Sequence, residues 1–512
     1  MNHLNKIVFL VIITCTTGCF KDLNPIDYSE INPSIFPKTE EDLASMVLSC
    51  YHPLRSDWWD GINSLSERGQ MFVNDCCTEI MTQDWGGARL CSELSFNETN
   101  SEITYFYYTR EAPNGFHNKI SRCTLVKDAI ENSSLNLDLK NRYIAEVCCA
   151  RAYLSYILFD MYGSLVIAPP DVLKNPLKET PLARLSNDEM VKFIEDDLLF
   201  AAEYLPEPRK TEYGKFSRGL AKMLLIRLYL HETVHDKNYF NKVEELAREM
   251  MAPSFGYDLA PSYPSLFEFK GMNASNKEYI FVIPCNYEGT SVNHWQQEVM
   301  PGDFPGLGGW HMARCTWWFY DTFEANDTRK TYIIDEYKST NGTIYNRNNI
   351  GGDSYFELGP IPQKYEMDFK ANSNNGHSGL DCVVYRYADV ILSLAEAIVM
   401  KPGGNVTQEA VDLMNTIRNR AGLGTNPKNL SDFSTKEAFI DQLLTERSHE
   451  FWCENGQYRA DLIRYDKLLD RVLEVTNNNA PLASKYKYLY PLPLSVIIDG
   501  KGMVIQNPGY GQ

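Results

Sequence analysis

The stretch NRYIAEVCCARAYLSYILFDMYG, residues 141–163, decides the fold. It runs from Asn141 to Tyr162 without proline or glycine, and its spacing predicts one long helix stopped by Gly163. Helical signals continue outward on the C-terminal side. Ser186-Asn187-Asp188-Glu189 reads as a capping box, in which the serine serves a free amide and the glutamate reaches back. Met190, Phe193, Ile194, Leu198, Ala201 and Leu205 then share one face. Ser217 opens GLAKMLLIRLYL, apolar nearly all round and so predicted to be buried, and Lys237 to Met250 gives a further helix.

A second helical block follows a long gap. Tyr385 to Met400 reads as a helix ended by Pro402-Gly403-Gly404. Thr407 caps the next, with Ala410, Val411, Met414 and Ile417 inward and Gly422 as stop. Ser434-Thr435-Lys436-Glu437 reads as a second capping box before Phe439, Ile440, Leu443 and Leu444. Helix pairs of this length suggest a repeat scaffold of tetratricopeptide type, though the period is irregular. Between the blocks, from about Pro253 to Asp381, Gly, Pro, Asn and aromatic residues dominate and apolar periodicity fades. The run Pro301 to Trp310, PGDFPGLGGW, excludes regular helix, and its aromatic content points to an ordered, functional loop.

The N-terminus reads as an address. Lys6 precedes the apolar run Ile7 to Ile13, which is shorter than the roughly 20 residues a membrane span needs, so residues 1–18 are expected to be a secretory signal. Thr17-Gly18-Cys19 resembles a lipobox with cleavage before Cys19 and lipidation of its thiol, although Thr16 stands where leucine is usual. Phe20-Lys21-Asp22 resembles the export tag of surface lipoproteins of Bacteroidota. The formal charge of −18 argues against a nucleic-acid partner, because phosphate binding needs a concentrated basic surface. Setting aside Cys15 and Cys19, eleven of the 13 cysteines remain, with no CxxC; they read as small buried hydrophobes rather than metal or redox centres.

An ordered train of motifs carries a family resemblance. Phe36-Pro37-Lys38-Thr39-Glu40-Glu41-Asp42-Leu43 comes first, then Ala150-Arg151-Ala152-Tyr153 to Gly163, then Arg218-Gly219-Leu220-Ala221-Lys222. Tyr385-Arg386-Tyr387-Ala388-Asp389 and Ile417-Arg418-Asn419-Arg420-Ala421-Gly422-Leu423 follow. Glu446-Arg447 to Glu450-Phe451, Asp461-Leu462-Ile463-Arg464, Tyr490-Pro491-Leu492-Pro493 and Gln506-Asn507-Pro508-Gly509-Tyr510 close the series. In this order they resemble the SusD/RagB family of surface lipoproteins of Bacteroidota. The resemblance implies a mostly α SusD-like fold, with tetratricopeptide-like helical repeats packed against an irregular loop-rich region. It implies one unit over 19–512: an N-terminal helical part 19–252, a loop-rich, ligand-binding part 253–384 and a C-terminal helical part 385–512. It further implies an outer-membrane, lipid-anchored protein facing the cell exterior. Such a protein would bind oligosaccharide, use no cofactor, and act as lid and delivery partner of a SusC-like TonB-dependent transporter. A peptide-binding lid is the alternative. Two positions depart from the family pattern, Asn455 before Gly456 and Tyr465 after the last arginine, and both read as scaffold changes.

One motif competes. His231-Glu232-Thr233-Val234-His235 satisfies H-E-x-x-H, which on a helix would hold zinc with Glu232 as general base. It sits at the end of a scaffold helix, and Glu244, Glu245, Glu249 and Asp258 offer no third ligand at a signature spacing, so a zinc hydrolase is a remote alternative. No G-x-S-x-G and no phosphate-cradling glycine loop occurs, and Glu195-Asp196-Asp197 reads as a solvated helix face. Neither a catalytic residue nor a resident metal is expected.

The tryptophans point to binding. Trp58, Trp59 and Trp85 fall in an irregular N-terminal region, Trp295, Trp310, Trp317 and Trp318 in the loop-rich middle, and Trp452 in a helix. Pyranose faces pack on flat rings while nearby polar groups take the hydroxyls. Asp84-Trp85 beside Gly86-Gly87, Asn293-His294-Trp295, and Trp310-His311 with Arg314 have that composition and form the expected ligand site. Trp317 and Trp318 read as core, because Phe319 and Phe323 continue an apolar helical pattern.

Overall fold

The structure, a computed structural model, describes residues 36–57, 61–83, 89–107, 115–178, 180–350, 356–475 and 484–511. The expectations for residues 1–18, Cys19, Trp58, Trp59, Asp84 and Trp85 lie outside them. Among the described residues, no helix is long and apolar enough to cross a membrane.

Six helices form the N-terminal layer: α1 (Glu40–Tyr51), α2 (His117–Glu131), α3 (Leu137–Tyr162), α4 (Asn187–Tyr204), α5 (Arg218–Glu232) and α6 (Tyr239–Met251). Neighbours in this series pack on one another, α2 on α3, α3 on α4, α4 on α5 and α5 on α6, as antiparallel pairs of a helical repeat do. The chain then returns to the array: α7 (Tyr387–Met400) packs on α6 and α8 (Gln408–Arg418) on α7, with α9 (Lys436–Phe451) against both. Helix α3 is longer than its sequence signal, starting at Leu137 and capped by Asn136, whose side chain accepts from the Leu139 amide; it ends where Gly163 adopts φ +73°. The Ser186 box forms, with the Glu189 amide donating to Ser186 Oγ at 3.3 Å and the Ser186 amide to Glu189 at 2.8 Å. A third box, not read from the sequence, joins Thr39 and Asp42 at the start of α1.

Two sequence expectations shift. The predicted helix from Tyr385 begins two residues later, because Cys382–Arg386 is a strand, β4, paired antiparallel with β2 (Tyr279–Ile283). Val383, Val384 and Tyr385 are β-branched and aromatic, the types that suit a buried pleat. The box at Ser434–Glu437 does not form; Thr435 is the cap, its hydroxyl accepting from the Ala438 amide at 3.1 Å.

The middle of the chain is short strands and single turns laid against this array. β1 (Met81–Thr82) pairs with β3 (Arg314–Cys315), Ile333–Ile334 with Ile361–Pro362, and Glu336–Lys338 with Ile344–Asn346 in a hairpin. One cluster of buried apolar side chains extends from Leu43 to Val504 and takes in residues of all three parts of the chain.

Buried arginines and carboxylates, several of them from the motifs above, form a web of ion pairs inside this core. Arg386 bonds Glu278, Glu450 and Glu454; Arg329 bonds Asp327, Glu446 and Glu450; Arg420 bonds Glu278 and Glu450. A second knot joins Arg227, Arg447 and Arg464 to Asp461, with Asp389 and Glu396 at its edges. Both departures from the family pattern fit here. The Asn455 amide donates to the Val384 carbonyl at 2.9 Å, and the Tyr465 hydroxyl to Glu396 at 2.7 Å. The eleven cysteines are buried and unbridged.

Candidate functional site

The site is built on the segment from Asn293 to Arg314. Asn293 forms an isolated bridge to Ser378, and its side-chain oxygen accepts from the Trp295 amide at 3.0 Å, starting the short helix Trp295–Val299. That helix is anchored twice. The Gln296 amide group donates to the Asp368 carbonyl at 3.1 Å and accepts the Asp368 N–H at 2.8 Å. Trp295 is fully buried, its indole N–H donating to the Pro362 carbonyl at 2.7 Å and its ring edge-on to Phe72.

After Met300 the chain swings out through Pro301–Gly309 and closes on itself. The Trp310 amide donates to the Gln297 carbonyl at 2.8 Å and the His311 amide to Met300 at 3.0 Å. Gly309 is required there, since a Cβ would stand 2.6 Å from the Met300 oxygen. The closure leaves Trp310 41% exposed on the outer face. Its ring lies near-parallel to His294 (24°, centroids 6.3 Å apart), and His294 meets His377 edge-on at 4.6 Å. His311 follows at φ +50°, a conformation non-glycine residues seldom take. Phe369, 60% exposed, reaches over Gly306 on the same loop.

The groups behind and beside the exposed ring are kept neutral. Burial, reinforced by His377 and opposed by Asp57, pushes the His294 imidazole down to about 4. Burial and the Arg314 charge push His311 down to about 3. Both rings are uncharged at neutral pH and present one donor and one acceptor each. Beneath them, Glu298 is fully buried, and desolvation together with Glu67 holds its carboxyl well above the ordinary range.

The structure brings Asn293, His294, Trp310 and His311 together but removes four expected ligand residues from the surface, Asn293, His294, Trp295 and Arg314, leaving Trp310 and the half-buried His311 to face solvent. Trp295 is a core anchor, since no face of its ring reaches solvent. Arg314 is 1% exposed and donates to the Val299 and Ala313 carbonyls at 2.8 and 2.6 Å, so it braces the loop from behind. Trp317 and Trp318 are half-buried, with Arg347 over the first ring and Arg471 over the second; the Trp317 indole donates to Phe356 at 2.8 Å. Trp452 closes α9 and is fully buried. His377, Asp57 and Phe369 escaped the sequence reading, because nothing local ties them to a segment distant in the chain.

The H-E-x-x-H segment does not assemble a metal centre. Helix α5 ends at Glu232, and His235 lies exposed in the turn beyond, so the two imidazoles are not stacked on one helical face. Burial raises the Glu232 carboxyl, but hydrogen bonds from His231 (2.8 Å) and Asn187 (2.9 Å) outweigh it and hold the group below its ordinary value. Among the described residues, no group of three His, Cys, Asp or Glu side chains is placed to hold a metal ion.

The helical-repeat scaffold thus carries an exposed aromatic ring on a clamped loop. Residues 313–510 match the model of the SusD family. The chain is similar to the SusD-like protein P2 of Formosa agariphila, 25% identical with 99% of each chain covered. It is also similar to the starch-binding protein SusD of Bacteroides thetaiotaomicron, 23% identical over 72% of this chain and 73% of that one. Among solved structures it resembles surface glycan-binding protein A of Bacteroides thetaiotaomicron in complex with laminarihexaose. There the TM-score is 0.71 and the identity 18%, covering 92% of this chain and all of that one. These likenesses support the resemblance to the SusD/RagB family, with the family model covering residues 313–510.

Proposed function

We propose that this protein captures an oligosaccharide at the outer face of the outer membrane, without cleaving it, and hands it to a SusC-like TonB-dependent transporter for which it acts as a lid. Trp310 carries the reading. A flat ring held 41% exposed by a glycine-dependent loop, backed by the buried His294 and followed by the half-buried, uncharged His311, matches the alternating C–H faces and hydroxyls of a pyranose. The names of two relatives support glycan as the ligand, one a starch-binding protein and one a glycan-binding protein seen with laminarihexaose. Binding without hydrolysis is supported by the site's chemistry: of the two carboxyls on the segment, Glu298 is sealed from solvent and Asp303 accepts the Tyr337 hydroxyl at 2.6 Å. Lipidation at Cys19 would tether the chain, and Cys19→Ala should release it from the membrane fraction. The deciding experiment is calorimetry against soluble glycans and peptides. A glycan bound at about 10 μM to 1 mM, weak enough to be released to a transporter, is expected. Binding of peptides alone would replace this reading with a peptide-capturing lid, and accumulation of shortened glycan would make the protein an enzyme.

A further inference from the structure

A second exposed ring, Phe369, stands beside the platform loop. The turn that carries it is not slack. Asp368, the residue before it, is buried and bonded through both its backbone groups to the Gln296 carboxamide. The Asp368 carboxylate accepts from the Ser378 hydroxyl at 2.9 Å and from the Lys370 and Gly379 amides at 3.0 and 3.1 Å. A phenylalanine held outward on a turn pinned in this way differs from the single apolar residues scattered over any protein surface.

This turn and the platform loop touch at two points. The Phe369 ring rests on the bare backbone of Gly306, where a Cβ would stand 3.1 Å from its Cδ1. At the other end His377 meets His294, the residue that backs Trp310, and a Cβ on Gly376 would stand 2.8 Å from Cγ of Gln297, whose carbonyl holds the Trp310 amide. Gly306 and Trp310 are separated by so little chain that the backbone between them spans at most about 14 Å. Trp310 and Phe369 therefore lie along one seam between two loops.

We infer that Phe369 is a second stacking residue, which takes a separate sugar unit of the chain that lies on Trp310, so that the ligand is an oligosaccharide long enough to cover both rings; the inference rests on the glycan reading above. The phenylalanine supplies the flat apolar face that a pyranose ring needs. The exposed Asn372, Ser373 and Asn375 follow it on the same turn and offer uncharged donors and acceptors for hydroxyls. Between the two rings, Gly306, Gly308 and Gly309 carry no side chain and Leu307 is buried, so no bulk stands in the way of a chain passing from one ring to the other.

The experiment titrates the wild-type protein, Phe369→Ala, Phe369→Leu, Phe369→Trp and Trp310→Ala with the trisaccharides and hexasaccharides of the laminarin, starch, xylan and mannan series, and melts each protein without ligand. In the series that binds, the wild-type protein is expected to hold the hexasaccharide at least about tenfold more tightly than the trisaccharide, the scale on which covering one phenylalanine ring contributes. Phe369→Ala and Phe369→Leu should lose that gain, and Phe369→Trp, which keeps a flat face, should retain it. Melting temperatures of the Phe369 variants should stay close to the wild type, because most of the ring is in solvent. Equal wild-type affinity for the two lengths, or a gain that survives Phe369→Ala while Trp310→Ala abolishes binding, would overturn the inference and leave the Trp310 platform standing. Full binding by Phe369→Leu would also overturn it, since bulk alone would then suffice. So would a marked fall in the melting temperature of Phe369→Ala, which would make the ring a part of the fold. If no series binds the wild-type protein, the glycan reading itself falls and takes this inference with it.

Discussion

Arg386 and Glu454 meet end to end inside the protein: Nε and Nη2 of the guanidinium each donate to one carboxylate oxygen at 2.8 Å, and neither side chain reaches solvent. Nη1 of the same arginine reaches Glu278 and Glu450. One residue thus ties the loop-rich middle, through Glu278, to the end of α9. Removing one partner of such a buried pair leaves an uncompensated charge, at a cost of about 3–5 kcal/mol. Arg386→Met should therefore lower the unfolding free energy by that amount in a denaturant titration, with the far-ultraviolet helical signal retained before the transition.

Glu450 gives this web a pH signature. Burial alone would raise its carboxyl, but Arg420, Arg386 and Arg329 surround it and hold it far below its ordinary 4.5. A folded value below the unfolded one means the group's stabilisation is fully present above about pH 4.5 and is lost as the pH falls toward the folded value. The wild-type protein should lose stability steeply below about pH 4.5, and Glu450→Gln, less stable at pH 7, should show a flatter acid limb. Equal slopes for the two proteins would contradict this.

The two loop tryptophans should separate cleanly. Trp295→Ala opens a cavity in the core and strips the Pro362 carbonyl of its donor, and should cost about 3–5 kcal/mol of stability. Trp310→Ala should change stability by less than about 1 kcal/mol while weakening glycan binding by about 2 kcal/mol or more. Thermal melts and calorimetry on both variants give the comparison.

His294 provides a test in a different pH range. Its folded value of about 4 lies below the ordinary 6.5, so between these values the unfolded chain carries the extra proton. Its contribution to stability is complete above about pH 6.5 and is lost as the pH falls toward 4. Glycan affinity should be flat from pH 6 to 8, because neither His294 nor His311 gains charge there, and His294→Asn should reduce the loss of stability between pH 6.5 and 4.

The H-E-x-x-H residues should behave as parts of a helix end. Glu232→Gln weakens two hydrogen bonds to a charged group and should cost about 1–3 kcal/mol, whereas His235→Ala, exposed in a turn, should cost less than about 0.5 kcal/mol. Metal analysis of the purified protein decides between this and a zinc centre. Stoichiometric zinc that disappears in both variants would restore the hydrolase reading.

How much the sequence discloses depends on how local the cause is. Gly163 and the Ser186–Glu189 box are fixed within a few residues, and both stand where the pattern puts them. At Ser434-Thr435 two cap-competent residues adjoin, and only the packing of the following helix selects Thr435. The start of α7 is not legible locally, because Cys382–Arg386 becomes a strand only by pairing with Tyr279–Ile283, far earlier in the chain. The platform shows the same limit. Asn293-His294-Trp295 and Trp310-His311 look alike as composition, but the bridge to Ser378 and the Asp368 contacts turn Trp295 inward, while the closure on Gln297 and Met300 turns Trp310 out.

The clamped segment also bears on how such a protein can change its cargo. Between the Asn293–Ser378 bridge and the Arg314–Thr82 pairing, both ends are fixed to residues far away in the chain, and the intervening backbone closes on itself. Length and side chains at the tip, from Pro301 to Gly309, can vary without moving either end. On the function proposed above, the loop is a cassette: its tip can be exchanged for another while the helical array stays the same.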